Sequence, residues 1–113
     1  MRIEIKGRKV AVSDDLRERV EKRFQKIAKQ VSPLAELEVE LSEDRNPRVA
    51  DSQIAEATLR LKGTTLRATE SAANMGTAVN GCAADLARQV KKLKAKRSHR
   101  RDSAPQVTPE VAL

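Results

Sequence analysis

From Leu86 to Arg101 the chain carries Arg88, Lys91, Lys92, Lys94, Lys96, Arg97, Arg100 and Arg101, and not one Asp or Glu. Side chains of this type at this density do the chemistry of anion neutralisation. Each releases a counterion from a phosphate, and a guanidinium can grip two phosphate oxygens at once. A second set lies nearer the N-terminus. At about 100° per residue, Arg19, Lys22, Arg23, Lys26 and Lys29 fall within a sector of roughly 120° on one helix. Glu18 and Glu21 flank that sector. A merely solvated helix face would interleave the signs and form pairs such as Glu18–Lys22. Five cations in one sector point to a polyanion.

Other chemistries find little to work with. His99 is the only histidine and stands in the basic run with no ordered partner for acid–base work. Cys82 falls on an apolar helical stripe, where a buried structural thiol is expected rather than a nucleophile or metal ligand. Glu36, Glu38 and Glu40 share one strand face, which offers no pocket for paired catalytic carboxylates. No metal-ligand spacing, phosphate-cradling glycine loop or nucleophile–base set occurs. The expectation is therefore no enzyme, no metal, no cofactor and no small-molecule substrate.

The whole chain bounds the partner further. Its 113 residues suit one domain with some tail to spare, and its net charge is +7. That charge favours nucleic acid or another anionic surface. Apolar residues make up 39%, but Phe24 is the only aromatic, so the core must be aliphatic. Without aromatics on the sheet, base stacking in the style of an RRM is not available, and recognition should follow backbone shape more than base identity. No apolar run approaches the roughly 20 residues of a membrane span. Met1-Arg2-Ile3-Glu4 alternates and carries charge, unlike a secretion signal. One cysteine without a disulfide partner fits a reducing cytoplasm.

These cations need elements to hold them. Arg2 to Lys6 alternates polar and apolar, the pattern of a strand with one wet face. Ser13 caps a helix with Asp14 and Asp15 in its first turn. That helix reaches about Gln30, buries Leu16, Val20, Phe24 and Ile27, and stops at Ser32-Pro33. Leu34 to Ser42 and Ile54 to Lys62 alternate again. Lys62-Gly63-Thr64 makes a tight link to a fourth strand, Thr65 to Thr69. Ser71 is placed to cap the last helix, from about Ala73 to Arg97 and on into Arg101. Its stripe is Met75, Val79, Cys82, Leu86, Val90 and Leu93. Beyond Lys94 the cations point all round, as if the helix had passed the edge of the body it packs on.

The expected fold is therefore α+β in the order β-α-β-β-β-α. A four-stranded sheet has both helices packed on one face, like a double-stranded-RNA-binding domain. Residues 34 to 56 hold seven acidic side chains against Arg45 and Arg48 alone. The open sheet face should be mixed to acidic and the helical face strongly basic. A cleft between two such helices would follow a phosphate backbone, with energy mostly independent of sequence.

Several segments resemble the family of ribosome hibernation promoting factors, also called ribosome-associated inhibitor or protein Y. They are Lys6-Gly7-Arg8, the run from Leu16 to Ile27, Leu66-Arg67-Ala68, and the run from Asp85 to Lys94. The likeness covers about residues 2 to 97 in the family's element order. It implies binding to ribosomal RNA of the small ribosomal subunit, in the channel of messenger RNA and the A- and P-site transfer RNAs. Idle ribosomes are thereby held inactive in stress or stationary phase. By position, the resemblance implies RNA contacts from Lys22, Arg23, Lys26 and Lys29 and from Arg88, Lys91, Lys92 and Lys94. Lys96 and Arg97 continue the same basic run.

The chain departs from the family's pattern where Asn74-Met75-Gly76 replaces Asp-Met-Tyr and Asn80-Gly81 an acidic–aliphatic pair. Two glycines there should soften or kink the helix, each costing about 1 kcal/mol relative to Ala. Residues 1–101 are expected to be the ribosome-binding domain. Residues 102–113, with Pro105 and Pro109, read as a disordered tail or the start of a linker. Pairing of two ribosomes would need the long-form C-terminal domain, which nothing here matches. The competing expectation is a protein-interaction module that modulates transcription machinery without touching RNA.

Overall fold

Period-two alternation builds four strands, and two amphipathic segments cover one side of them. The computed structural model describes residues 1–103 apart from Pro47, with residues 97–103 given by their backbone alone. In chain order the elements are β1 (Arg2–Arg8), α1 (Asp14–Ala28), β2 (Glu36–Glu43), β3 (Gln53–Leu61), β4 (Thr64–Ala72) and α2 (Met75–Ser103). This is the expected α+β order. The sheet runs β1-β2-β3-β4, with β1 parallel to β2 and the other neighbours antiparallel. A parallel pair cannot be joined by a tight turn, so α1 makes the crossover. Both helices return against the direction of β1, β2 and β4, and therefore run parallel to one another.

The core is one aliphatic layer between sheet and helices. Ile5, Leu37, Val39 and Leu41 come from β1 and β2, and Ala55, Ala57, Leu59, Ala68 and Ala72 from β3 and β4. Against them lie Val20, Phe24 and Ile27 of α1 and Ala78, Val79, Cys82, Leu86 and Val90 of α2. Side-chain size sets the layer spacing. Alanines on β3 and β4 face Ala78 and Cys82, so α2 comes close to those strands. Phe24 is fully buried and holds α1 off the sheet above larger neighbours.

Some boundaries move from where the sequence places them. Ser71 lies inside β4, held by pairing of Ile54 with Ser71 and Gln53 with Ala72. Asn74 caps α2 instead: its side-chain oxygen accepts the Thr77 N–H at 2.8 Å and its carbonyl the Ala78 N–H at 3.2 Å. Leu34 does not start β2. Ser32 closes a turn on either side of it, accepting the Leu34 N–H at its hydroxyl and the Ala35 N–H at its carbonyl. That turn leaves Leu34 90% exposed. Gly63 has φ 82°, the left-handed backbone that the two-residue β3–β4 link requires.

The expected softening at Gly76 and Gly81 is not seen as a break. α2 is one unbroken α-helix through both. Each glycine is a point of close approach: Glu70 lies where a Cβ on Gly81 would sit 2.6 Å from its Cγ, and Arg19 lies against Gly76. Arg97, His99, Arg100 and Arg101 have side chains outside the described residues, as does the expected tail beyond Ser103.

Two outcomes follow for the core. Phe24→Ala should cost about 3–5 kcal/mol, a large part of an ordinary domain's stability, read as a lower urea midpoint at unchanged slope. Cys82 is buried and donates to the Ala68 carbonyl at 3.4 Å, and burial pushes its thiol up to about 12. It should resist iodoacetamide at mildly alkaline pH in the folded chain and react once guanidinium is added.

Candidate nucleic-acid interface

The helix start fixes which side of α1 faces water. The Ser13 hydroxyl accepts the Leu16 N–H at 3.2 Å, and Asp14 and Asp15 complement the first turn. With Val20, Phe24 and Ile27 turned into the core, Arg19, Lys22, Arg23 and Lys26 are left exposed. Lys29, the C-cap residue, is exposed as well. Asp15, Glu18, Arg19, Lys22, Arg23 and Lys26 surround an open groove of about 470 Å³, with the two carboxylates at its N-terminal end.

On α2, Arg88, Lys91, Lys92, Lys94 and Lys96 are all exposed, while Val90 is buried and Leu93 half-buried. Two contacts orient this helix. Gln89 donates from Nε2 to the Arg67 carbonyl at 2.7 Å, which marks the flank over β4. Arg19 against Gly76 marks the flank toward α1. At about 100° per residue, Lys91 and Lys94 lie on the Gly76 side and Lys92 and Lys96 on the Gln89 side. Arg88 points away from the sheet. The fold thus brings Lys91 and Lys94 to the side that α1 occupies, and spreads the others along the outer flank.

Pairing separates the two faces of the molecule. The open face of the sheet carries Arg2, Lys6, Arg8, Arg60 and Arg67 against Glu4, Glu36, Glu38, Glu40 and Glu56, in equal number. Three ion pairs join them: Lys6 to Glu4 at 3.6 Å, Lys6 to Glu38 at 3.3 Å, and Arg60 to Glu38 at 3.4 Å. The hydrogen bond and charge of Lys6 hold the Glu38 carboxyl below its ordinary value, and Glu38 in turn raises Lys6. Stability from Glu38 is therefore lost as pH falls through its lowered pKa, and that from Lys6 as pH rises through its raised one. Both groups are open to water, so the effects are small. On the helices, among the described residues, the only ion pair is Arg88 with Asp85. Glu18 and Lys22 do not pair. Asp85 also accepts Gln89 Nε2 at 3.2 Å, which ties Arg88, Gln89 and β4 into one bracket.

Comparison with known proteins gives the family and the fold. A family model described as Sigma 54 modulation protein / S30EA ribosomal protein matches residues 3–98. The chain belongs to this family. Within it, the chain is 30% identical over 115 residues to a ribosome hibernation promotion factor of Picosynechococcus sp., covering 97% of this chain and 60% of that one. It is 31% identical over 97 residues to a ribosome hibernation promoting factor of Acinetobacter guillouiae, covering 81% and 86%. The chain thus spans 60% of the first relative's length and most of the second's. Two solved structures superpose on it. A ribosomal subunit interface protein from Coxiella burnetii gives a TM-score of 0.72 at 24% identity, covering 84% of this chain and 99% of that one. The N-terminal domain of Thermus thermophilus protein Y gives 0.71 at 26%, covering 82% and 99%.

Sequence reasoning found the exposed cations by their spacing, but not the Asp85–Arg88 pair, although the i,i+3 spacing carries that signal. Asp85→Asn should free Arg88 and delay elution from a heparin column. The delay should exceed that of Glu43→Gln, a carboxylate lost at the end of β2. Equal delays would mean that Arg88 was never restrained.

Proposed function

We propose that this chain is a ribosome hibernation factor that docks its two cationic helices on ribosomal RNA of the small ribosomal subunit. The docking place is the channel for messenger RNA and the A- and P-site transfer RNAs, so that bound chain and translation exclude one another in the cytoplasm of stressed or stationary cells. One observation carries the reading. Among the described residues, the cations on the open sheet face are equalled in number by carboxylates, and Lys6 and Arg60 are paired with them, whereas on the helices Arg88 alone has an ion-pair partner.

Unpaired, exposed cations raise the energy of the free protein through mutual repulsion and lower it when phosphates arrive. The contacting set is Lys22, Arg23, Lys26 and Lys29 with Arg88, Lys91, Lys92, Lys94 and Lys96, and Arg97 continues the run. With Phe24 buried, no aromatic is available to stack a base. Affinity should come from backbone charge and shape. The reading involves no catalysis. Occupancy alone blocks the channel.

Two measurements test it. Lys22, Lys26, Arg88 and Lys92 changed together to Glu should abolish co-sedimentation with small subunits while circular dichroism stays unchanged; retained co-sedimentation rejects the site. Salt titration of the unaltered chain separates RNA from a protein partner of the transcription machinery. Neutralising about six phosphates gives a log–log slope near −4 at roughly 0.7 per single-strand contact. A nearly flat curve favours the protein partner.

A further inference from the structure

Arg19 is an exposed cation with no obvious business in a protein's own interest. Its guanidinium lies against the backbone of α2 at Gly76, where any Cβ would fall well inside van der Waals distance of Nη1. No carboxylate lies within ion-pair distance of it among the described residues, although Asp15 stands one turn earlier on the same helix. The place is also poor for a cation in the free chain. Gly76 is in the first turn of α2, at the positive end of that helix, and the turn has no acidic side chain to compensate. Asn74, whose side-chain oxygen also lies near Gly76, accepts the Thr77 N–H.

The glycine is costly as well. Even in the first turn, glycine loses more backbone freedom on folding than alanine, and the backbone here is ordinary α-helix that alanine adopts without strain. Nothing in the free chain rewards this combination of glycine and unpartnered arginine. What the seat does achieve is position. Arg19 lies against α2 at Gly76 and at the same time lines, with Lys22, Arg23 and Lys26, the groove along α1.

We propose that Arg19 is a further RNA-contacting residue, and that Gly76 is the positioning residue that seats it between the two helices for a phosphate of the bound backbone. The inference rests on the RNA-docking function proposed above and adds to it a contact with its own geometric cause. Its signature is a conflict between stability and binding. Gly76→Ala removes a helix-weakening residue, and the only atoms displaced belong to the far end of a flexible side chain. The variant should therefore melt at a higher temperature than the parent. It should also bind more weakly, because the methyl group drives Arg19 out of its seat.

The experiment measures binding of the whole chain to purified small ribosomal subunits over a range of KCl, for the parent, Gly76→Ala, Arg19→Ala and the double variant. Gly76→Ala and Arg19→Ala should each lower affinity at least about threefold and flatten the log–log salt slope by roughly 0.7 to 0.9, the share of one phosphate contact. In the double variant Gly76→Ala should add no further loss, since the side chain it displaces is already gone. Parent-like binding by either single variant overturns the proposal. So does a Gly76→Ala loss that persists without Arg19, which would mean that glycine acts through something else. A parent chain that does not bind small subunits at all overturns the RNA-docking function first, and is distinguished by that result.

Discussion

Like charges collected on one surface push apart, and only the aliphatic layer beneath holds them together here. Each close pair of exposed cations repels by roughly 1 kcal/mol in water-like surroundings. Burial of Val20, Phe24 and Ile27 from α1 and of Val79, Leu86 and Val90 from α2 supplies the opposing force. A fully buried side chain of this kind contributes about 1.5–3 kcal/mol, so a handful outweighs the repulsion. The arrangement is thus a loaded one. Packing keeps the cations where Coulomb's law alone would scatter them, and a polyanion would relieve the tension.

The sheet makes that loading possible through its alanines. Ala55, Ala57, Ala68 and Ala72 give α2 a shallow bed, while Phe24 props α1 from below. Both helices then present exposed flanks on the same side of the molecule. Since both run back along the sheet in the same direction, their N-termini lie together, which is how Arg19 reaches Gly76. A nearly all-aliphatic core serves this purpose without placing any ring on the surface. The interface is left with charge and shape as its means of recognition.

Much of this was legible in the residues. Period-two alternation gave every strand, and the 3.6-residue stripe gave both helices, because each element has one buried face and the pattern records it. The cations of the site were legible for the complementary reason: they occupy what the stripe leaves over. Ser71 misled because a capping residue and an edge-strand residue look alike until the pairing of β4 with β3 is known. Leu34 misled because its apolar side chain fits the alternation, whereas the Ser32 turn depends on local hydrogen bonds that periodicity does not register. Gly76 and Gly81 were read as weaknesses in a helix. Their neighbours, Arg19 and Glu70, are distant in sequence, and only three-dimensional structure shows what the missing side chains make room for.

The evenly matched open face of the sheet bears on how such a molecule behaves in a crowd. A body that is adhesive all over would glue one polyanion to the next and precipitate both. Here the rear surface has its own counter-charges built in, with Glu38 clasped by Lys6 and Arg60. With the helices docked as proposed, what faces outward carries as many carboxylates as cations. If the helices dock as proposed, raising the concentration of this domain would saturate its targets one by one and would not cross-link them.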